Sequence, residues 1–252
     1  GRGGRGIKAS DPKEGDFLRD LFIASTHDYL LFFTSRGRVY WLKVYDVPEM
    51  ARTARGRSIA NLLKMQDNES CRAVLRVSKF EEGFAFFATA KGTVKKTALG
   101  AFSNPRSSGI IAIGLDPDDS LIGVELTGEG DQIVLGTRQG MAVRFQQTDV
   151  RAMGRAAGGV KGLTLRRDDQ VVDMAVIRPG MCLLTVCENG FGKRTEIEEY
   201  RLQKRGGSGV INIRTTERNG TVVALRAVRD EDELMLITAN GIMLRTAIAQ
   251  TR

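Results

Sequence analysis

A run rich in glycine and basic residues recurs along this chain with an almost constant step, and that register limits the fold more than any other feature. The opening copy is Arg2-Gly3-Gly4-Arg5-Gly6-Ile7-Lys8. Weaker copies follow as Arg55-Gly56-Arg57-Ser58-Ile59, Ser107-Ser108-Gly109-Ile110, Ala157-Gly158-Gly159-Val160-Lys161 and Arg205-Gly206-Gly207-Ser208-Gly209-Val210. Aligned on the residue before the β-branched one they fall at 6, 58, 109, 159 and 209, in steps of 52, 51, 50 and 50. A low-complexity tail has no cause to keep such a register. A period of this size marks a repeat architecture in which each unit is one supersecondary block.

A second marker keeps step with the first: glycines 37, 92, 140, 190 and 241 each lie between two short apolar runs, such as Tyr29 to Phe33 and Val39 to Val44. Glycine there supplies the positive φ of a tight hairpin loop, and Asn-Gly occurs twice, at 189–190 and 240–241. Five β-hairpins are predicted. After each of the first four comes a glycine-basic run leading into an apolar strand, at Ile59 to Leu63, Ile110 to Ile113, Val160 to Leu165 and Val210 to Ile213. A polar turn and a fourth strand follow, at Ala73 to Val77, Leu121 to Leu126, Val171 to Ile177 and Val222 to Val228, with Phe17 to Ile23 in the same slot after the opening run. Four strands per period near fifty residues predict an all-β, propeller-like body. One domain over 1–252 is expected, with units near 1–27, 28–79, 80–128, 129–178, 179–229 and 230–252. The end units are incomplete, and they either pair with each other or continue a longer array.

Charge follows the same period. Acidic pairs stand just ahead of the fourth strands (Asp67 and Glu69, Asp118 and Asp119, Asp168 and Asp169), where they are expected to face water. Basic residues take the opposite phase: four past the hairpin glycine stand Trp41, Lys96, Arg144, Arg194 and Arg245, with Lys43 two beyond Trp41. The repeated runs add Arg2, Arg5, Lys8, Arg55, Arg57, Arg106, Arg155, Lys161, Lys204 and Arg205. Equivalent positions of a repeat lie on one circle, so a positive rim is expected, with acid on another face. With a net charge of +8, such a rim suits a polyanion. Few aromatics interleave with the basic column, which favours duplex over a single-strand stacking platform. Bending duplex costs about 1 to 6 kcal/mol per 20 to 30 base pairs, which contacts spread over several modules can meet.

Catalytic chemistry is scarce. His27 is the only histidine, and it sits at a turn. No serine or cysteine has an evident base partner, and Gly190-Phe191-Gly192-Lys193 lacks Walker spacing. Cys71, Cys182 and Cys187 are expected to be buried strand residues. Cys182 and Cys187 are five apart, so they face opposite sides of one strand and share no metal. No run has the length of a membrane span, and a cytoplasmic, non-catalytic binding body is expected.

Residues Arg2-Gly3-Gly4-Arg5-Gly6 resemble the last five positions of the glycine-basic box found in the C-terminal domain of the gyrase A protein, part of bacterial DNA gyrase. Gly1 stands where that box has a basic residue, and its leading glutamine is absent. Ser35-Arg36-Gly37-Arg38-Val39-Tyr40, Gly92-Thr93-Val94-Lys95-Lys96-Thr97, Val150-Arg151-Ala152-Met153-Gly154 and Asn189-Gly190-Phe191-Gly192-Lys193-Arg194-Thr195 are similar to that domain too. The resemblance implies a β-pinwheel, a propeller-like ring whose blades exchange strands, and a positive-sense wrap of duplex DNA without sequence specificity. These stretches bring Arg36, Arg38, Lys95 and Lys193 into the candidate DNA-binding set, and the hairpin markers Thr89-Ala90-Lys91-Gly92 and Thr137-Arg138-Gln139-Gly140 add Lys91 and Arg138. The resemblance also implies a role in negative supercoiling with the rest of the gyrase A protein and with the gyrase B protein, bacterial nucleoid association and an isolated domain that is monomeric. ATP and magnesium would act elsewhere in the holoenzyme, and none of Tyr29, Tyr40, Tyr45 or Tyr200 would be the catalytic tyrosine. The corresponding domain of topoisomerase IV and a propeller scaffold for an acidic protein are the alternatives.

Overall fold

The run Tyr29-Leu30-Leu31-Phe32-Phe33 is apolar on both sides of a pleat, a pattern suited to a strand covered on both faces. In the computed structural model, which describes residues 27–46, 63–237 and 243–247 and the side chains of 27–45 and 63–232, this run is β1 (Tyr29–Thr34). It turns at Gly37 into β2 (Arg38–Lys43). Three further hairpins follow: β4 (Phe84–Thr89) with β5 (Thr93–Ala98), β8 (Gln132–Thr137) with β9 (Met141–Gln146), and β12 (Cys182–Cys187) with β13 (Gly192–Glu196). The last is β16 (Glu233–Ile237) with β17 (Met243–Ala247). Each of the first four is flanked on its first strand by the strand after the next polar turn: β3 (Cys71–Val77), β7 (Leu121–Thr127), β11 (Val171–Ile177) and β15 (Val222–Val228).

The fourth place in a sheet is filled from the unit beyond. The short strands β6 (Ile110–Ile111), β10 (Val160–Lys161) and β14 (Val210–Ile211) each follow one hairpin in sequence but pair with the hairpin before it. Thus Val39 pairs with Ile110, Val94 with Val160 and Ala142 with Val210. The sheets run β3-β1-β2-β6, β7-β4-β5-β10 and β11-β8-β9-β14, followed by β15-β12-β13 and the hairpin β16-β17.

Apolar side chains are buried between successive sheets. Leu31 and Phe33 of the first meet Ala85 and Phe87 of the second. Phe33 stands edge-on to Phe87 at 5.4 Å and to Phe102 at 5.7 Å, a geometry that adds about 0.5 to 1.5 kcal/mol per pair beyond area burial. Leu30 and Phe32 point the other way, onto Tyr40 and Leu63. The same arrangement recurs where Phe86 and Val94 meet Ile133 and Val143, and where Val134 and Ala142 meet Leu183 and Leu225. Cys182 and Cys187 pack into different clusters, on opposite faces of β12.

Strands β3, β7, β11 and β15 pack against one another in succession, so the blades converge on them. At the opposite end of each four-stranded sheet stand β6, β10 and β14, the outer edge.

Two expectations change. The outer strands are two residues long instead of four to six, because Ala112 and Ile113 both turn their N–H groups to the Gly37 carbonyl, at 2.8 and 3.2 Å, and leave the ladder. The second acid of each pair is also no solvated charge. Asp119 accepts from the Lys91 and Ser120 N–H groups, at 3.0 and 2.8 Å. Asp169 likewise accepts from Gln139 and Gln170, both at 2.9 Å. Glu69 accepts from Thr34, Tyr40 and Gln66. These carboxylates fasten the hairpin turns, where buried donors need acceptors. Phe17 to Ile23, and all but the last residue of Ile59 to Leu63, lie outside the described residues.

Candidate nucleic-acid interface

Between each 3-10 turn that follows a hairpin and the short outer strand, the chain runs along the outer edge. These stretches are 103–111, 151–161 and 201–211. They carry Arg106; Arg151, Arg155 and Lys161; and Arg201, Lys204 and Arg205, without one aspartate or glutamate. Arg106, Arg151, Lys161, Arg201 and Lys204 are exposed, whereas Arg155 and Arg205 are half-buried.

The stretches and the loops that continue them are joined from blade to blade. Gly114 donates its N–H to Ala157 O at 3.1 Å, Gly206 to Gly162 O at 2.6 Å and Thr164 to Gly207 O at 2.9 Å. Arg205 reaches back from its stretch to the preceding one, with Nε donating to Asp149 O and Nη1 to Lys161 O, both at 3.1 Å. Arg38 holds the first stretch by donating to Ser108 O and Gly109 O, at 3.0 and 3.2 Å. The result is a basic edge, fixed by backbone and crossing several blades, on which Lys204 meets Asp149 at 3.0 Å and Arg38 lies 3.8 Å from the buried Glu69.

The remaining candidates separate by position. Arg36, Lys91 and Arg138 are exposed at hairpin turns, beside the acidic loops, and Lys91 pairs with Asp118. Lys43 is exposed at the end of β2, with its Nζ 5.8 Å from the Tyr29 ring centroid. Lys193 donates to Asn212 O at 2.8 Å, and Arg194 to Asp230 at 2.5 Å. The box residues Arg2, Gly3, Gly4, Arg5 and Gly6 lie outside the described residues, as do Lys8, Arg55, Arg57 and the side chain of Arg245.

The basic column four past the hairpin glycine was expected on the rim, and its described members are turned inward or half-buried. Each of the first three donates into the 3-10 turn of the following blade. Trp41 donates to Phe102 O at 2.8 Å, and Lys96 to Gln147 Oε1 at 2.9 Å. Arg144 bonds Ile197 O and Tyr200 O at 3.0 Å each, with its Nε on Gln132 Oε1 at 2.7 Å. Lys96 is 6 % exposed and lies 4.6 Å from the Phe84 ring centroid. Burial lowers its pKa and that of Arg144. This column joins blade to blade. Replacing Arg144 with methionine keeps the aliphatic volume and removes those donors, so a loss of about 2 to 3 kcal/mol is expected by urea unfolding. A loss below about 0.5 kcal/mol would show that the tie is dispensable.

Lys95 is likewise absent from the surface. It is 0 % exposed, and its Nζ donates to Ala112 O and Arg155 O at 2.5 Å each, thereby holding two successive outer segments. Burial, and secondarily the Arg155 charge, brings its pKa from 10.5 down to about 7. The folded chain therefore releases this proton first, and unfolding takes one up between about pH 7 and 10.5. This group makes stability rise with pH across that window. In Lys95→Met that part of the rise should vanish from denaturation midpoints measured between pH 7 and 10; a rise as steep as the native one would contradict the assignment.

Arg151 and Arg201 were missing from the candidate set. They are fifty residues apart, each directly after a buried Val150 or Tyr200, and both are exposed. Their common phase was the available signal. The phenol groups of Tyr40 and Tyr200 are occupied by Glu69 and Asn212, both at 2.6 Å. Among the described residues no group of three His, Cys, Asp or Glu side chains could hold a metal, and no helix is long and apolar enough to cross a membrane.

Sheets that each set one strand innermost, borrow the opposite strand from the following unit and carry basic residues along that outer edge define a strand-exchanged β-propeller domain. The chain belongs to the DNA gyrase C-terminal domain family, described as a beta-propeller, which matches residues 1–25, 28–78, 84–127, 131–178, 183–229 and 232–250. It is 51% identical over 250 residues to the DNA gyrase A protein of Salmonella typhimurium, covering 99% of this chain and 28% of that one. To the Escherichia coli K12 gyrase A protein it is 48% identical, covering 99% and 29%. The chain therefore spans less than a third of these relatives. Among solved structures, a DNA gyrase A C-terminal domain superposes with a TM-score of 0.78 at 26% identity, covering 90% of this chain and 74% of that one. A topoisomerase IV C-terminal domain gives 0.82 at 27%, covering 90% and 72%.

Proposed function

We propose that the outer edge binds duplex DNA through its phosphates, without sequence specificity, and bends or wraps it in a positive sense. In the intact enzyme this would present a second segment of the same DNA to the cleavage core, in support of ATP-dependent negative supercoiling with the rest of the gyrase A protein and with the gyrase B protein. The observation that carries this function is the run of arginines and lysines on stretches that lack any acid and are hydrogen-bonded from blade to blade. Cations fixed along a backbone neutralise successive phosphates and release counterions. The basic box Arg2 to Gly6 belongs to the same phase of the repeat.

A protein scaffold for an acidic partner would use the same charges but has no need for continuity across blades. Titration of a fluorescent 40-base-pair duplex between 50 and 300 mM salt separates the two. DNA binding predicts a straight log-log plot whose slope falls by about 0.9 for each phosphate contacted; absence of binding at the lowest salt would reject the proposal.

A further inference from the structure

The two ends of the sheets differ in charge. At one end lie the hairpin turns 35–37, 90–92, 138–140 and 188–190, with the loops 64–70, 112–120, 162–170 and 212–221 that lead into the inner strands. These segments carry nine acidic and eight basic residues. At the other end the chain passes from each inner strand to the next hairpin through the turns 78–83, 128–131, 178–181 and 229–232, beside the 3-10 turns 99–102, 147–149 and 197–199. Ten acidic residues and three basic ones stand there.

The acidic end is fixed by its own bonding. Leu99 donates its N–H to Gly83 O at 3.2 Å, and Gln147 to Asp131 O at 3.1 Å, which joins each 3-10 turn to the turn beside it. Two of the three basic residues are spent on the preceding blade: Arg178 donates to Leu126 O at 3.2 Å and Arg229 to Pro179 O at 2.8 Å. Arg178 also lies 3.3 Å from Asp131. Glu129, Glu198, Glu199 and Glu231, by contrast, are exposed. Lys204 and Asp149, 3.0 Å apart, mark the border between this end and the basic outer edge.

Scale makes the asymmetry matter. Strands β4 and β8 are six residues long, so the edge is about 20 Å tall. Its midline therefore lies about one Debye length from the acids at 0.1 M salt, near enough for a phosphate backbone to be repelled.

We infer that the acidic end is an electrostatic guard: it repels a duplex lying on the outer edge, stops it from slipping over that end of the blades and displaces its path toward the hairpin turns. This role rests on the DNA binding proposed above. The acids hold no ligand and act only by repulsion. A duplex kept on the edge must bend to follow successive blades, whereas one free to cross the end can lie straight across it. The cations of the edge thus set affinity, and the acids at one end set the path that turns binding into a wrap.

The test replaces Glu129, Glu198, Glu199 and Glu231 with glutamine in the full chain. A charge-matched variant alters exposed acids of the opposite end, with asparagine for Asp67, Asp116 and Asp168 and glutamine for Glu217. Each variant removes four negative charges, and thermal unfolding checks that both remain folded. Duplex affinity is read by anisotropy, and the linking-number shift per bound protein from a relaxed plasmid treated with a nicking-closing enzyme. Both variants should bind more tightly at low salt, a gain that fades as salt screens the charges. Only the first should lose linking-number shift per bound protein. A native shift in the first variant, or equal losses in the two, would overturn the guard while leaving DNA binding intact. If the unaltered chain shows no salt-dependent duplex binding, the DNA proposal itself fails; if it binds without a shift, there is no wrap for the acids to keep. Either result also removes the guard.

Discussion

Glutamine in place of Arg151, Lys161, Arg201 and Lys204 together is expected to reduce the salt slope of duplex binding by about 3 to 4 and to weaken binding by several hundredfold or more at low salt. The four side chains are exposed on two outer stretches that contain no acid, so their charges are oriented toward solvent and little is neutralised within the protein. Lys204 contacts Asp149 at 3.0 Å but is itself 89% exposed, and such a surface pair holds a lysine by no more than about 1 kcal/mol. The effect should be local to the edge. Arg166 and Arg167 stand beside the acids of the β11 turn, with Arg167 3.6 Å from Asp168. Glutamine at both is expected to change the slope by less than about 1. Equal losses from the two sets, measured by anisotropy, would mean that net charge rather than the outer edge governs binding.

The second large effect concerns the junction between a hairpin and the strand it borrows. Valine at Gly140 is expected to cost on the order of 4 kcal/mol or to prevent folding. Gly140 has φ +89°, and a Cβ there would stand 2.0 Å from the carbonyl oxygen of Ile213. Its own carbonyl accepts the N–H groups of Asn212 and Ile213, at 2.8 and 3.2 Å, so the loop cannot withdraw without releasing the borrowed strand. Gly130 is the control: its φ is +86°, but nothing lies within 4 Å of a Cβ. Alanine there is expected to cost about 1 to 2 kcal/mol, the backbone penalty alone. Urea unfolding of both variants separates steric closeness from backbone conformation; equal losses would show that the approach to Ile213 is unimportant.

The repeat made hairpins and inner strands legible because each is local: an apolar run, a glycine and a second run suffice to mark a turn. Strands β7, β11 and β15 begin at the residues the pattern indicates. The partner of the borrowed strand was not legible in the residues themselves. Ile110 pairs with Val39 across an intervening hairpin, and nothing near Ile110 encodes that choice; strand exchange was anticipated through the family resemblance alone.

Charge was less legible than strand position, since a lysine in a strand is ordinarily taken to face water. Lys95 and Lys96 are neighbours, so alternation sends them to opposite faces. Both faces of this sheet are covered, and each ammonium group finds carbonyl oxygens. Trp41, standing in the same column as Lys96 and Arg144, was the visible sign that the position is an inward tie and not a rim. The second acid of each pair carried a similar sign, because Glu69, Asp119 and Asp169 each stand two residues ahead of the inner strand that follows. Arg151 and Arg201, by contrast, lie outside the glycine-basic runs that mark the period, although they repeat in step with them.

Incubation of a relaxed plasmid with this chain and a nicking-closing enzyme, followed by removal of protein and resolution of topoisomers, tests the central claim most directly. A wrap of positive sense around the outer edge predicts a linking-number shift to positive values that grows with protein and disappears in the four-glutamine variant. An unchanged distribution at concentrations where a gel shift shows the plasmid bound, or a shift to negative values, would contradict it.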